Sequence, residues 1–216
     1  MIPGLLPPAV VTAEAGDADW TAPLLAEEQP LVARAVEKRR RDFTAGRACA
    51  RRALERLGWT GFAVVAGPDR EPLWPPGVVG AITHCRGYCA AAVARSADVR
   101  SVGIDAELRA PLPAGVAEMV CTEPERRQAA EFTGEHWATL VFSAKEAVYK
   151  AWYPLTRRWL DYRDAELTID PDRGCFSARI LLRLEPDVFP WNPLQGRFAV
   201  SADRVFTAVT VPASEA

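Results

Sequence analysis

The chain has 216 residues, 49% of them hydrophobic and 25% charged, which are the proportions of a globular protein with its own core. Its formal net charge of −2 argues against general nucleic-acid binding, and no apolar run approaches the ~20 residues needed to cross a bilayer. The first residues lack the basic-then-apolar order of a signal peptide, and the five cysteines lack a metal-ligand pattern. We therefore expect a cytoplasmic protein with reduced thiols and with neither a membrane nor a nucleic-acid partner.

The N-terminal third predicts one long, basic helix. Pro30 stands where a helix can begin, and apolar residues recur through residues 31–57, with Gly46 bending or interrupting the helix and Gly58 ending it. Residues 34–56 contain nine Lys or Arg residues against three acids. Such a run is most often a solvated helix face, but it is also what a polyanionic ligand needs.

Short strands follow this helix. We predict strands over residues 62–66, 78–84 and 88–95. A loop rich in Pro and Gly covers residues 67–77, and a tight turn at residues 85–87 joins the second and third strands.

Residues 101–107 (SVGIDAE) predict a strand with two unlike faces. Val102 and Ile104 lie on one face, whereas Asp105 and Glu107 project together from the other. Two carboxylates so close repel each other and raise the pKa of one of them, and a divalent cation such as Mg²⁺ removes the conflict. Strand carboxylates are also frequently solvated edge charges, so both interpretations stay open at this point.

Residues 141–152 (VFSAKEAVYKAW) predict an amphipathic helix. Five apolar residues at helical spacing form a stripe for a core, namely Trp137, Leu140, Ala144, Val148 and Ala151. A different face carries Ser143, Glu146 and Lys150. Glu146 and Lys150 would ordinarily be a surface ion pair, but Glu146 can also supply a third oxygen ligand beside the two strand carboxylates.

The rest of the chain predicts four more strands, over residues 165–170, 175–184, 196–201 and 204–211, which close an antiparallel sheet. A helix followed by strands thus occurs twice. We predict an α+β fold made of two similar halves that meet near residue 100.

Several polar residues complete the candidate site. His84 follows Thr83 at the end of a predicted strand, and both side chains can donate to a phosphate oxygen. Further phosphate ligands are expected at Arg39, Arg47, Arg70 and Lys150. A metal cluster with nearby cations is suited to the transfer or hydrolysis of a phosphate-bearing substrate.

The chain resembles the 4′-phosphopantetheinyl transferases in three segments, ITHCRGYCAAAV, SVGIDAE and FSAKEAVYKAW, which occur in the order and at the spacing of that family. The resemblance is closest to the larger, monomeric class of surfactin-type and enterobactin-type enzymes, and it covers residues 31–211. It implies a pseudo-twofold pair of subdomains, each a small, mainly antiparallel sheet packed with a long helix. The subdomains would be residues 1–100 and 101–216, with the coenzyme A and Mg²⁺ site at their interface.

The resemblance also implies a role for each matching residue. The ligands of Mg²⁺, with Mn²⁺ as an alternative, would be Asp105, Glu107 and Glu146, assisted by the backbone of Ala106. Coenzyme A would be bound by Arg39, Arg47, Asp69, Arg70, Thr83, His84, Asp105, Lys145 and Lys150. Relatives often carry Lys in the loop over residues 67–72, whereas here Asp69 and Glu71 leave Arg70 as its only cation.

The implied reaction transfers the 4′-phosphopantetheine arm of coenzyme A to a serine of an apo acyl or peptidyl carrier protein and releases 3′,5′-ADP. Glu146 is the expected base, acting directly or through a metal-bound water, with His84 as the second choice and Lys150 on the phosphates. The partners would be carrier domains of polyketide, nonribosomal peptide, siderophore or fatty acid synthases. A Mg²⁺-dependent nucleotide phosphohydrolase and a non-catalytic docking module for acidic proteins stay as alternatives.

Overall fold

The chain folds as two antiparallel sheets, and one 20-residue helix packs on each of them. The computed structural model describes residues 2–131, 136–183 and 189–213, and of residues 130 and 131 it describes only the backbone. This architecture confirms the predicted α+β class with two small antiparallel sheets.

The strands are β1 (Val11–Glu14), β2 (Val78–Cys85), β3 (Tyr88–Arg95), β4 (Val99–Leu108), β5 (Ala165–Asp170), β6 (Cys175–Ile180), β7 (Leu194–Val200) and β8 (Arg204–Pro212). The α-helices are α1 (Glu37–Arg56), α2 (Val116–Val120), α3 (Glu123–Glu131) and α4 (Trp137–Thr156). Short 3₁₀ turns cover Ile2–Leu5, Asp17–Thr21, Gln29–Val32 and Tyr162–Asp164. The first sheet has the order β1-β3-β2 and lies against α1, whereas the second has the order β4-β8-β7-β6-β5 and lies against α4.

The predicted hairpin in the first sheet is confirmed. Strands β2 and β3 pair from Val78–Arg95 to Cys85–Tyr88, and Gly87 supplies a positive φ of 71° in the turn. The four strands predicted near the C-terminus are also present. The strand predicted over residues 175–184 ends at Ile180, and its last predicted residue, Leu184, lies outside the described residues.

The helix predicted over residues 31–57 is shorter than expected and is not interrupted. Helix α1 begins at Glu37, after the separate 3₁₀ turn over Gln29–Val32. Gly46 lies inside the helix, where a Cβ atom would come within 3.1 Å of the Ile82 side chain. The prediction that Gly46 bends or interrupts the helix is therefore wrong, because this glycine lets the helix and the sheet approach each other.

The strand predicted over residues 62–66 is also wrong, and the cause lies far away in the sequence. The amide of Val64 donates to the buried carboxylate of Glu28 at 3.1 Å, so it does not take part in a sheet. Only Ala66 forms an isolated bridge in this stretch. Glu28 also pairs with Arg51 of α1 at 2.5 Å, so this one buried carboxylate joins two loops to the helix.

Strand β4 is packed on both faces. Its apolar residues Val102 and Ile104 join a core with Ala90 and Ala92 of the first sheet. On its other face a Cβ atom at Gly103 would lie 1.9 Å from the carbonyl oxygen of Ala147, so α4 crosses directly over this glycine. The division of the chain near residue 100 stays a prediction, but β4 is where the two sheets and α4 meet.

The apolar stripe predicted on α4 is confirmed. All five of its members are buried in one core cluster with residues of β5, β6 and β8. In the described part of the chain, none of the helices combines the length and the apolarity that a membrane span requires. All five cysteines are free thiols, as the sequence predicted.

The close approach at Gly103 generates a stability prediction. Gly103→Ala should lower the free energy of unfolding by about 3 kcal/mol, because the added methyl group must push α4 away from β4. Gly4→Ala is the matched control, since a Cβ atom there has nothing within 4 Å. Urea denaturation measures both variants, and equal unfolding midpoints would contradict the close approach.

Candidate active site

A cavity of about 810 Å³ lies between the first sheet with α1 and the outer part of α4. Seven residues that the sequence singled out line this one cavity: Arg39, Arg47, Asp69, Arg70, His84, Glu146 and Lys150. Four separate elements supply them, namely α1, the loop after residue 66, β2 and α4. The fold thus brings together groups that are up to 111 positions apart in the sequence.

Asp105 lies behind this cavity and is almost completely buried, with 4% of its surface exposed. One of its carboxylate oxygens, Oδ1, accepts from the Lys150 ammonium at 2.7 Å and from the Thr83 hydroxyl at 3.2 Å. The other, Oδ2, accepts from the Ser143 hydroxyl at 2.8 Å. The buried charge is therefore compensated by one cation and two hydroxyl groups from β2 and α4.

Thr83 has a different role from the expected one. Its side chain is buried, its hydroxyl accepts from the Ala106 amide at 3.0 Å, and its one proton is donated to Asp105. A phosphate oxygen needs a donor, and Thr83 has no second proton to give. The expectation that Thr83 binds phosphate is thus corrected: Thr83 holds Asp105 and the backbone of β4 in place.

Glu107 lies close enough to both Asp105 and Glu146 for their charges to act on it. Burial raises the pKa of Glu107 to about 7, and the charges of Asp105 and Glu146 act in the same direction. Glu146 accepts a hydrogen bond of 2.5 Å from the hydroxyl of Tyr162, whose pKa is raised first by burial and then by this contact. Nothing in the sequence pointed to Tyr162, which lies beyond the end of α4.

The donor chemistry of these carboxylates fits Mg²⁺, because hard oxygen ligands in mutual repulsion are relieved by a divalent cation. Among the residues that the structure describes, no group of three or more His, Cys, Asp and Glu side chains is arranged to hold a metal ion. Lys150 instead neutralises Asp105 directly. The four-residue metal site, including the backbone of Ala106, therefore stays a prediction.

His84 faces the basic side of the cavity. Burial lowers the pKa of His84, and Lys150 and Arg39 lower it further while Asp42 opposes them. Arg39 Nη1 lies 3.5 Å from His84 Nε2, which makes Nε2 the acceptor and leaves the ring proton on Nδ1. The lowered pKa favours the uncharged imidazole of His84 at neutral pH.

Arg47 is a buried cation on the same wall. It is 7% exposed, and its guanidinium lies 4.0 Å from the centroid of the Phe43 ring. Burial lowers the pKa of Arg47 to about 10, so the group is still charged at neutral pH. Its Nε is buried and has no hydrogen-bond partner among the described residues. A buried cation with an unused donor is suited to an anionic ligand.

Only part of the basic run in α1 faces the cavity. Arg51 pairs with Glu28, Arg52 pairs with Asp19, and Arg56 donates to the carbonyl of Thr12. These arginines hold the N-terminal segment against the helix. For these three arginines the structure therefore gives a role that neither interpretation included, and binding of a polyanion by Arg39 and Arg47 stays a prediction.

Lys145 does not lie at the cavity. It is 3% exposed, and its ammonium donates to Glu125 at 2.8 Å and to the carbonyls of Val120 and Tyr162 at 2.8 and 2.7 Å. All three of its protons are used in this buried contact. The expectation that Lys145 binds coenzyme A is thus corrected, and its role is to fix α2 and the Tyr162 turn to α4.

Two cavity residues were missed although the sequence contained a signal for them. Tyr153 and Arg157 line the cavity one and two turns beyond Lys150. Together with Glu146 they continue the same helical face at spacings of three and four residues. Extending that face past Trp152 would have found both.

Comparisons with known proteins indicate the same family for the N-terminal and the C-terminal part of the chain. A family profile described as the 4′-phosphopantetheinyl transferase N-terminal domain matches residues 27–94, and one described as the 4′-phosphopantetheinyl transferase superfamily matches residues 101–207. The 4′-phosphopantetheinyl transferase Svp of Streptomyces mobaraensis is 46% identical over 99% of this chain and 90% of its own. The 4′-phosphopantetheinyl transferase PptT of Mycobacterium tuberculosis is 43% identical over 87% of this chain and 86% of its own. The 4′-phosphopantetheinyl transferase Npt of Nocardia iowensis is 41% identical over 97% of this chain and 99% of its own.

The structural role of Lys145 can be tested by removing its charge. Lys145→Met should lower the free energy of unfolding by about 3–5 kcal/mol, because Glu125 is left buried without its cation. Lys38→Met is the control, since the Lys38 side chain is 84% exposed and lies 3.6 Å from Asp42. We expect a change within about 0.5 kcal/mol there. An unchanged unfolding midpoint in Lys145→Met would refute the buried ion pair.

Proposed function

The chain belongs to the 4′-phosphopantetheinyl transferase superfamily, and on that premise we propose that it transfers the 4′-phosphopantetheine arm of coenzyme A to a serine of apo acyl or peptidyl carrier proteins. The observation that carries this proposal is the position of Lys150, which pairs with the buried Asp105 and also lines the cavity that Arg39 and Arg47 line. The products are the holo carrier protein and 3′,5′-ADP.

The cavity has the volume for a nucleotide, and five Lys or Arg residues line it against four Asp or Glu residues. Arg47 offers a buried cation with an unused Nε donor, and Arg39 and His84 lie on the same side. Lys150 extends from the facing helix. In the proposal these four residues bind the phosphates of coenzyme A, with the arginines at the nucleotide end and Lys150 at the pyrophosphate.

A magnesium ion, or manganese in its place, is proposed at the carboxylates of Asp105, Glu107 and Glu146, with the backbone of Ala106 as a further ligand. When bound, the ion would neutralise charge on the pyrophosphate oxygens. Oδ1 of Asp105 now accepts a hydrogen bond from the Lys150 ammonium. Asp105 can therefore be a metal ligand only if Lys150 moves away from Oδ1 or shares it with the ion. Thr83 and Ser143 keep the Asp105 side chain oriented during such an exchange.

The chemistry needs a base and a leaving group. The hydroxyl oxygen of the carrier serine forms a bond to the β-phosphorus of coenzyme A, while the bond from that phosphorus to the bridging oxygen breaks and 3′,5′-ADP leaves with the electron pair. Glu146 accepts the serine proton, directly or through a water molecule. His84 is the second candidate for the base. Its lowered pKa favours the neutral imidazole, which can accept a proton. However, the nitrogen that would accept it, Nε2, already faces the Arg39 guanidinium. Tyr162 holds the carboxylate of Glu146 in one orientation.

The proposed partners are carrier domains of polyketide, nonribosomal peptide, siderophore or fatty acid synthases. The chain is proposed to act as a monomer, as its resemblance to the larger, monomeric class of the family implies.

The direct test is the intact mass of an apo carrier protein after incubation with the protein, coenzyme A and Mg²⁺. We expect the carrier to gain one phosphopantetheine, with 3′,5′-ADP released in equal amount, and a carrier whose serine is replaced by alanine to stay unchanged. Consumption of coenzyme A without any mass gain would identify a phosphohydrolase instead. An unchanged carrier with unchanged coenzyme A would reject both enzymes.

The base is tested by Glu146→Gln, which keeps the shape of the side chain but cannot accept a proton. We expect kcat for carrier loading to fall by at least ~100-fold while coenzyme A still binds, at most several-fold more weakly. Titration calorimetry with coenzyme A and a loading assay measure the two quantities separately. If kcat holds and only the affinity falls, the base lies elsewhere, and His84→Ala is the next variant to measure.

A further inference from the structure

The loop over residues 67–72 carries two acids at a cavity proposed for a polyanion. Both of them are bonded to the C-terminal end of α4. The Tyr153 hydroxyl donates to Asp69, and the guanidinium of Arg157 donates to Glu71 at 2.6 Å. We call these two contacts, Asp69–Tyr153 and Glu71–Arg157, the clasp.

Two hydrogen bonds within the loop support the loop end of the clasp. The Gly67 amide donates to the Glu71 carbonyl at 2.8 Å, and the Asp69 amide donates to the Glu71 carboxylate at 3.1 Å. A Cβ atom at Gly67 would lie 2.4 Å from that carboxylate, so a larger residue there would have to displace the Glu71 side chain. One Glu71 oxygen therefore faces into its own loop, and the other faces α4.

The helix end of the clasp comes from the last turn of α4. Arg157 is the C-terminal cap of the helix, and its guanidinium lies 5.5 Å from the ring centroid of Tyr153. The two side chains that contact the loop therefore also contact each other. A single exposed ion pair is worth little, but here it is joined to a second bond between the same two segments.

The loop between the two clasp acids presents Arg70 to the cavity. In the part of the chain that the structure describes, Arg70 and Arg157 are the two non-glycine residues with a positive φ, at 68° and 53°. Such backbone conformations are unfavourable for arginine and mark sites where the surroundings impose them. The Arg70 side chain is exposed, lines the cavity, and makes no hydrogen bond or ion pair with any described residue.

We propose that Tyr153 and Arg157 are positioning residues, which hold Asp69 by a hydrogen bond and Glu71 by an ion pair and so present Arg70 as the cation that binds a phosphate at the nucleotide end of the substrate. This inference rests on the proposed function and concerns how strongly the nucleotide is held. Opening the clasp should weaken nucleotide binding in two ways. It frees the loop that carries Arg70, and it leaves Glu71 without its cation and Asp69 without its hydrogen-bond donor beside an anionic ligand.

The test measures dissociation constants of coenzyme A, 3′,5′-ADP and adenosine by titration calorimetry on the full chain. Tyr153→Phe and Arg157→Ala should each weaken coenzyme A and 3′,5′-ADP by about tenfold, which corresponds to ~1.4 kcal/mol. Adenosine, which has no phosphate, should be affected at most about twofold. The kcat at saturating coenzyme A should stay within about twofold, since neither Tyr153 nor Arg157 is assigned a contact with the reacting atoms.

Matched variants separate positioning from damage to the fold. Arg157→Lys keeps a donor for Glu71 and should recover most of the affinity, and Arg158→Ala removes a neighbouring exposed arginine and should change nothing. In a chain that already carries Arg70→Ala, the further change Arg157→Ala should weaken 3′,5′-ADP by much less than tenfold, because the cation it positions is gone.

The opposite results overturn the clasp. Unchanged affinity in Tyr153→Phe and Arg157→Ala, an equal loss for adenosine and 3′,5′-ADP, or fully additive effects of Arg70→Ala and Arg157→Ala would each do so. Failure of the wild-type chain to bind coenzyme A would instead reject the proposed function, and with it this inference. If the wild-type chain loads carrier protein and Arg157→Ala binds coenzyme A and 3′,5′-ADP as tightly as the wild type, the clasp alone is rejected.

Discussion

The rest of the structure depends on one buried negative charge, the carboxylate of Asp105. A carboxylate removed from water is unfavourable unless a cation and hydrogen-bond donors surround it. Here Thr83 of β2 supplies one donor, and Ser143 and Lys150 of α4 supply a donor and the cation. Satisfying this single charge therefore ties the first sheet, the second sheet and α4 together at the place where the proposed chemistry occurs.

The close packing of α4 on β4 makes those contacts short enough. Gly103 has no side chain, so the carbonyl of Ala147 lies against the strand, and the Ser101 hydroxyl donates to the next turn at Ala151 (2.8 Å). This contact sets the rotation of α4. One helical face then points Ser143 and Lys150 at Asp105, and its continuation points Tyr153 and Arg157 at the loop on the other side of the cavity. The packing of α4 on β4 thus also determines the geometry of the site.

Periodic patterns predicted much of this arrangement. The alternation of residues 101–107 placed Asp105 opposite Val102 and Ile104, and the stripe on α4 separated its core face from the face with Glu146 and Lys150. Single residues with distant partners could not be predicted in this way. Lys145 was predicted to be a site residue, but its partner is Glu125, 20 positions away in the sequence. Val64 was predicted to lie in a strand, but its amide donates to the distant Glu28. Local periodicity has no information about such pairs.

The measurement that bears most directly on this account is carrier loading by Asp105→Asn, made beside its urea denaturation curve. The amide keeps the shape of the side chain and can still accept from Thr83 and Lys150, but it has no charge for a cation. The account predicts a folded protein with an unfolding free energy within about 2 kcal/mol of the wild type and a loading rate at least ~100-fold lower. Loading at close to the wild-type rate at ordinary Mg²⁺ concentration would contradict the central role of the buried carboxylate.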